Sequence, residues 1–156
     1  MQTNFKIHGI SGEPFAALFE RSDAALAERG IRRVLSDGSG CPCRVSLQDV
    51  AQGTELLLLN FAHQTANSPY QSSAPIYVSR GATQADLPTG VVPLSVTQRL
   101  ISLRAYDAAH MIVDAEVCEG VDVAAALHRH FKSQHVAYIY LHNAKRGCYA
   151  CRVERA

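Results

Sequence analysis

The last seventeen residues of the chain, YLHNAKRGCYACRVERA, hold the densest group of side chains that could do chemistry. They supply an imidazole, an amide, two basic groups and two thiols, at His142, Asn143, Lys145, Arg146, Cys148 and Cys151. Such a group fits a metal-binding knuckle, a redox-active dithiol, an activated thiol, or a β-hairpin with a basic turn. The spacing of the residues favours the hairpin, and one of its thiols could be activated.

The hairpin prediction rests on alternation. VAYIYLHN predicts a strand, and AKRG predicts a turn with Gly147 in the left-handed conformation. This geometry places Tyr140 opposite Arg152 and His142 opposite Ala150. One face is then predicted as core, with Ala137, Ile139, Leu141, Cys151 and Val153. The other is predicted as a polar-aromatic surface, with Tyr138, Tyr140, His142, Cys148 and Arg152.

The same geometry argues against metal and dithiol chemistry. Residues three apart in a strand, such as Cys148 and Cys151, lie about 10 Å apart and point to opposite faces. A disulfide requires Cα atoms within about 7 Å, so the two thiols should neither bond nor share a metal. A zinc site that also used Cys41 and Cys43 would need a knuckle in place of the strand, and Cys-Pro-Cys is an unusual ligand spacing. We therefore expect no metal and no cofactor.

Cys148 is the candidate nucleophile. His142 is expected diagonally across the hairpin on the same face, where it could act as the base, with Asn143 as orienting group or oxyanion donor. Lys145 and Arg146 lie on the adjoining turn, and positive charge favours the thiolate, which is the reactive form of a thiol. The alternative is an inert cysteine that packs as a small apolar residue. No motif of a named reaction accompanies the thiol.

Composition excludes several classes of partner. Fifteen Lys and Arg against 14 Asp and Glu, with a pI near 7.7, leave no electrostatic footprint for nucleic acid. The longest apolar runs, LLLLNFA and VAYIYL, are far shorter than the ~20 residues that span a bilayer, so no membrane partner is expected. An odd number of cysteines without a signal-peptide pattern predicts free thiols in the cytoplasm.

The pattern along the chain predicts one α+β domain over residues 1–156, with a mostly antiparallel mixed sheet and two helical segments packed on one side of it. SGEPFAALFERSDAALAERG predicts one helix or two short ones, with Ser22 and Asp23 able to cap a restart. DVAAALHRHFKSQ predicts a second helical segment, capped by Asp122, with a core stripe of Val123, Leu127 and Phe131. Its His128 and His130, with His135, are expected at the surface. Strands are predicted at NFKIHGI, IRRVLS, RVSLQD, ELLLLNFA and APIYVSR, and the polar stretch from His63 to Ser73 is predicted as a long loop, either functional or flexible.

A second hairpin is predicted in RLISLRAYDAAHMIVDAEVCEG. We join Ile101, Leu103 and Ala105 with the alternating apolar residues of the second strand as one face, namely Met111, Val113, Ala115 and Val117. Arg104 and Tyr106 then share the opposite face with Asp114, and Arg104 and Asp114 should be neighbours. This arginine either forms a structural ion pair or is held to receive an anionic ligand.

The chain resembles a bacterial family known only as domain of unknown function 1203. The segments that carry the resemblance are PCRVSLQD, LLLLNFAHQ, SPYQSSAPIYV, SLRAYDAAHMIVDAEV and HNAKRGCYACRVERA. The resemblance runs along nearly the whole chain and implies a free-standing domain, but it implies no activity. The family's motif residues coincide with the polar positions that alternation brings together: Cys43, Arg44, His63, Arg104, Tyr106, Asp114, His142, Asn143, Arg146 and Cys148.

Three functional hypotheses follow. The first is a protein that binds a small anionic molecule in a pocket of Cys43, Arg44, His63, Arg104, Tyr106, Asp114, Lys145 and Arg146. The second is a thiol-dependent enzyme with Cys148 as nucleophile, His142 as base and Asn143 as orienting group. The third is a structural module whose polar-aromatic face forms an interface, for example in a homodimer.

Overall fold

Two antiparallel sheets form the framework in the computed structural model, which describes residues 4–156. Their strands, in chain order, are β1 Phe5–His8, β2 Arg32–Leu35, β3 Glu55–Gln64, β4 Ser72–Ser79, β5 Leu100–Tyr106, β6 Ile112–Glu119, β7 Tyr138–Asn143 and β8 Tyr149–Arg155. One sheet has the order β1-β8-β7-β5-β6, and the other has the order β2-β3-β4. The predicted α+β class is confirmed, although the strands divide between two sheets.

The helices are short: α1 Glu13–Ala16, α2 Asp23–Glu28, α3 Leu94–Thr97 and α4 Val123–His130, with 3-10 turns at Ala17–Glu20 and Gly120–Asp122. The predicted restart before α2 is confirmed, because the hydroxyl oxygen of Ser22 accepts a hydrogen bond of 3.1 Å from the N–H of Ala25. Asp122 occupies the N-cap position of α4, but its side chain accepts no capping hydrogen bond. Among residues 4–156, no helix has the length and apolarity needed to cross a membrane.

The helix α4 covers one face of the five-stranded sheet. Its predicted stripe is confirmed, since Val123, Leu127 and Phe131 are fully buried in a core that they share with the inward residues of β5, β7 and β8. The expectation for His130 was wrong, because this side chain is only 6% exposed. Its ring nitrogens lie 3.0 Å from carboxylate oxygens of Asp114 and Glu116, which compensate for the loss of water.

The three-stranded sheet covers the opposite face, together with α1 and α2. Leu57, Ile76 and Phe19 pack there in a second core that includes Tyr138 and Tyr140. The predicted location of the helical segments on one side is therefore incorrect. The predicted polar-aromatic surface is also wrong, because both tyrosines are only 4% exposed between the sheets. Alternation predicted which residues share this face but not that a second sheet buries it.

The segment RVSLQD is not the predicted strand. Pro42 pairs with Asp49 in an isolated bridge, so the chain reverses between them. Leu47 adopts a left-handed backbone with φ of 56°, and its N–H donates to the carbonyl oxygen of Cys43 at 2.9 Å. A strand cannot contain this conformation. The result is a tight turn that carries Cys43 and Arg44.

The register of the hairpin β5–β6 differs by one residue from the prediction. Ala105 lies opposite Asp114, so the carboxylates of β6 share the face covered by α4, and Val113 and Val117 face solvent. Arg104 lies opposite Ala115 and on the other face from Asp114, so the predicted Arg104–Asp114 pair does not form. The irregularity between Ala105 and Tyr106 sets this register. Because β6 is an edge strand, it has fewer core contacts that would favour the predicted register.

Candidate functional site

The turn between β7 and β8 brings Asn143 and Cys148 together. The N–H of Gly147 donates to the carbonyl oxygen of Asn143 at 2.7 Å. The N–H of Asn143 in turn donates to the carbonyl oxygen of Cys148 at 2.9 Å. Gly147 has a φ of 77°, as the turn sequence predicted. Tyr140 lies opposite Arg152 as expected, but an irregularity after Leu141 places His142 opposite Tyr149 instead of Ala150.

The Cys148 sulfur is the centre of the site, and it is partly exposed. Nη2 of Arg44 donates a hydrogen bond to Sγ at 3.3 Å. Nδ2 of Asn143 is a second, longer donor at 3.8 Å. The sulfur therefore accepts hydrogen bonds from one cationic and one neutral group.

Arg44 is a buried cation without a carboxylate partner among the described residues. It is 3% exposed, and its Nε and Nη1 donate to the carbonyl oxygens of Tyr149 and Pro42 at 2.7 and 2.5 Å. Burial lowers the pKa of Arg44, and electrostatic attraction to Cys148 opposes that effect. Its two carbonyl partners are neutral, whereas the Cys148 sulfur can ionise. Among the three hydrogen-bond acceptors of Arg44, the Cys148 sulfur is therefore the one that can carry a compensating charge.

His142 is buried in the same hairpin, with 1% of its surface exposed. Its Nδ1 lies 3.0 Å from the carbonyl oxygen of Gly147, which only accepts hydrogen bonds, so we assign the ring hydrogen to Nδ1. Burial, with a contribution from the charge of Arg104, lowers the pKa of His142 to about 4. At neutral pH the ring is therefore uncharged and holds the turn that leads to Cys148.

The predicted Cys148–His142 contact is not formed. The hydrogen bonds of the Cys148 sulfur within residues 4–156 come from Arg44 and Asn143. In the same part of the chain, Nε2 of His142 is buried and has no hydrogen-bond partner. The geometry thus supports a positioning role for His142 and does not place it as the base for this thiol.

His63 packs beside His142 at the end of β3, because that strand continues to Gln64 where a loop was predicted. Its ring stacks on Tyr149 with a centroid distance of 5.0 Å, and it lies 5.0 Å from the ring of His142. Its Nε2 contacts Oγ of Ser72 at 2.9 Å. The pKa of His63 is lowered mainly by burial and, to a smaller extent, by the positive charge of Arg104.

The other cysteines have different surroundings. Cys43 is fully buried, and its sulfur accepts hydrogen bonds from the N–H and hydroxyl of Ser79 at 3.4 and 3.3 Å. Burial disfavours its ionisation, but donors from Ser46 and Ser79 outweigh burial and lower the pKa of Cys43. Burial raises the pKa of Cys151 to about 12. Cys148 and Cys151 contact different cores, which confirms that they point to opposite faces.

Of the remaining predicted site residues, two lie on the turn that carries Cys148 and three lie elsewhere. Lys145 and Arg146 are exposed on its turn, whereas Tyr106 is buried and stacks on a neighbouring tyrosine, Tyr138. Arg104 is half-buried, and its Nε donates to Oγ of Ser102 at 3.4 Å. Asp114 lies across the sheet beside His130. The predicted pocket of eight residues is therefore not assembled.

Two further findings limit the chemistry of the site. A cavity of about 10 Å³, lined in part by Cys43, Arg44 and Asn143, has room for about one water molecule. The lining of this cavity does not include Cys148, and the cavity is too small for a larger reactant. Among the side chains of residues 4–156, no three His, Cys, Asp or Glu groups converge as metal ligands.

Sequence reasoning missed the pairing of Arg44 with Cys148. It placed Arg44 among the anion-binding residues, and no local signal connects two residues that are 104 positions apart. It also missed the burial of Tyr149, whose backbone carbonyl holds Arg44. The only available hint was that PCRVS and the terminal hairpin both belong to the segments that carry the family resemblance.

Comparison with known proteins identifies a family. The model of a family described as "Protein of unknown function (DUF1203)" matches residues 40–155. The matched range includes the turn that carries Arg44 and the hairpin that carries Asn143 and Cys148, and it excludes β1, α1, α2 and β2. No curated protein and no solved structure matches the chain.

Proposed function

This chain belongs to the DUF1203 family of proteins of unknown function, and we propose that it carries out thiol-dependent chemistry on a small anionic electrophile, with Cys148 as the nucleophile and Arg44 as its cationic partner. In this reaction the Cys148 thiolate forms a bond to the electrophilic atom of the reactant. The leaving group departs with the electron pair of the bond that breaks, and a proton from solvent completes it.

The hydrogen bond from Arg44 to Cys148 is the observation that carries the proposal. A guanidinium that is 3% exposed has lost nearly all of its hydration, and no carboxylate of the described chain compensates for this loss. A thiolate 3.3 Å from Nη2 would do so. The same contact makes the sulfur nucleophilic, because the thiolate reacts and the thiol does not.

Asn143 and His142 complete the site in different ways. The amide of Asn143 is a second donor to the sulfur and could also donate to a developing oxyanion, as its sequence position suggested. His142 acts through the backbone, because its Nδ1–H holds the carbonyl of Gly147, the residue before Cys148. We therefore describe His142 as a positioning residue.

The anionic character of the reactant follows from the turn. Lys145 and Arg146 are exposed next to Cys148, and neither forms an ion pair with any residue in the range 4–156. Unpaired basic groups near a reaction centre raise the local concentration of anions. The proposal thus keeps the role that the anion-binding hypothesis gave to Lys145 and Arg146.

Rates of alkylation by iodoacetamide at pH 7, read for each cysteine by peptide mass spectrometry, test the proposal. Cys148 is expected to react at least about tenfold faster than Cys118. Both are partly exposed, but burial and the nearby charge of Glu116 raise the pKa of Cys118. Arg44→Gln is expected to slow Cys148 at least about tenfold, since a hydrogen bond to a charged group contributes about 1.5–3 kcal/mol.

The comparison of Cys148 with Cys118 is made within the folded wild-type protein, so it does not depend on the folding of a variant. Asn143→Ala, at a partly exposed position, is expected to slow Cys148 by a smaller factor than Arg44→Gln. Equal rates at Cys148 and Cys118 would contradict the proposal. So would an Arg44→Gln protein that is folded by circular dichroism and reacts as fast as wild type.

A second candidate function is reversible anion binding at Arg104. This half-buried guanidinium has no carboxylate partner in the described part of the chain, and its charge contributes to the lowered pKa values of both His63 and His142. Inorganic phosphate is expected to raise the melting temperature relative to sodium chloride of equal ionic strength, and Arg104→Gln should abolish the difference. Arg32→Gln, at an exposed position, is the control and should retain it. Equal melting temperatures in phosphate and chloride would exclude this function.

A further inference from the structure

The edge of the five-stranded sheet at β6 exposes an apolar stripe. Four of the eight large hydrophobic side chains that are exposed in the described chain lie between residues 111 and 121: Met111, Val113, Val117 and Val121. Val113 and Val117 are 45% and 59% exposed and share one face of the strand. A sheet edge with aliphatic residues on one face is a template for another strand.

The outer side of β6 faces no other strand of the sheet. The strand lies at the end of the sheet order, next to β5 alone. The N–H of Ala115 donates to Oδ1 of its neighbour Asp114 at 2.8 Å, so this group does not take part in the ladder with β5. The strand contains no Lys, Arg or Pro, and its charged side chains, Asp114, Glu116 and Glu119, are all acidic.

A cleft of about 460 Å³ adjoins β6 on the side of Asp114 and Glu116, and Val113 also contributes to its lining. Its lining includes the carboxylates of Asp107, Asp114 and Glu116 and the guanidinium of Arg129, which Glu116 already binds at 2.6 Å. The side chain of Asp114 is 62% exposed, and its ion-pair partner is His130. Three carboxylates and one guanidinium therefore line the cleft, beside His130 and His135.

We propose that the β6 edge binds an extended segment of a partner protein in which basic and aliphatic residues alternate. The backbone of the segment would pair with the outer side of β6, as in β-strand addition. Residues opposite Asp114 and Glu116 then lie on the cleft side, where Lys or Arg complements the carboxylates. Residues opposite Val113 and Val117 lie on the exposed apolar face, where aliphatic side chains extend the stripe.

Charge disfavours a second copy of this chain as the occupant. If two β6 strands paired antiparallel about Ala115, Asp114 of each copy would face Glu116 of the other, and like charges directly opposite each other are destabilising. The aliphatic face alone would be self-complementary, because Val113 would face Val117. The acidic face thus selects a basic partner.

Fluorescence anisotropy with a labelled, end-blocked peptide of alternating lysine and valine tests the proposal. The protein is expected to bind this peptide and not a peptide of alternating glutamate and valine. Val113→Lys and Ala115→Pro should each weaken binding at least about tenfold, the first by placing a cation on the apolar face and the second by removing the outward N–H that the partner strand would take over from Asp114. Leu35→Lys is the matched control, since Leu35 is 68% exposed on the edge strand β2, and binding should be unchanged.

Three results would overturn the proposal: no binding of the lysine–valine peptide, equal binding of both peptides, or wild-type affinity in Val113→Lys and Ala115→Pro. Sedimentation of the protein alone tests the competing occupant. A dimer that Val113→Lys dissociates and Leu35→Lys does not would assign the edge to a second copy and exclude the peptide.

Discussion

The His142→Asn protein is expected to lose about 3 kcal/mol less folding stability than wild type when the pH is lowered from 7 to 4. Burial lowers the pKa of His142 to about 4 in the folded protein, from a usual value of 6.5. The unfolded chain therefore takes up this proton at a higher pH than the folded chain. The stabilising contribution is complete above pH 6.5 and is lost as the pH falls through about 4. Asparagine has no proton to gain, and its amide can still donate to the carbonyl of Gly147.

Urea unfolding at pH 7 and at pH 4 measures this effect. The free energy of unfolding is compared between the two pH values for each protein, so a constant cost of the substitution cancels. The control is His135→Asn, at an exposed position, which should lose as much stability on acidification as wild type. An equal loss in His142→Asn and wild type would show that His142 titrates normally and is not buried as described.

Gly9→Ala is expected to destabilise the protein by about 3 kcal/mol and to slow the alkylation of Cys148. A Cβ atom on Gly9 would lie 2.2 Å from the carbonyl oxygen of Val45. That oxygen also accepts a hydrogen bond of 2.9 Å from the N–H of Ala85, so the segment cannot move without losing this bond. Because Val45 follows Arg44, any displacement changes the distance from Arg44 to the sulfur.

Gly12→Ala is the matched control for this prediction. Gly12 lies in the same connection, has a negative φ, and its Cβ would be 3.4 Å from the nearest atom, so we expect a cost below about 1 kcal/mol. Both variants are compared by urea unfolding and by the alkylation rate of Cys148. Similar stabilities for the two variants would mean that the close approach of Gly9 to Val45 is not present in solution.

The pairing of a thiol with a buried arginine has a physical consequence that a Cys–His pair would not have. A histidine gains or loses its charge near neutral pH, whereas a guanidinium ordinarily has a pKa above 12 and ionises far from neutrality. The electrostatic support of Cys148 should therefore persist where His142 and His63 are neutral. This is why the proposed site does not depend on the histidine that the sequence had suggested as a base.

Local regularities explain the successful sequence predictions. Ser22 and Asp23 mark a helix start by their own side chains, and Gly147 allows the left-handed turn because it lacks a Cβ. The stripe of α4 follows from a period of 3.6 residues. The opposite orientations of Cys148 and Cys151 follow from the alternation of a strand. Each of these depends on residues a few positions apart, so the amino-acid sequence alone determined them.

Long-range packing decided the rest. The register of β6 required the geometry of the turn after Ala105, and the burial of Tyr138 required a second sheet. The partner of Cys148 could not be inferred, because Arg44 reaches it only when the turn after Pro42 packs against the terminal hairpin. Alternation predicts which side chains share a face, but it does not predict what covers that face. The proposed nucleophile, Cys148, was therefore visible in the sequence, and the cation that donates a hydrogen bond to its sulfur was determined only by the tertiary structure.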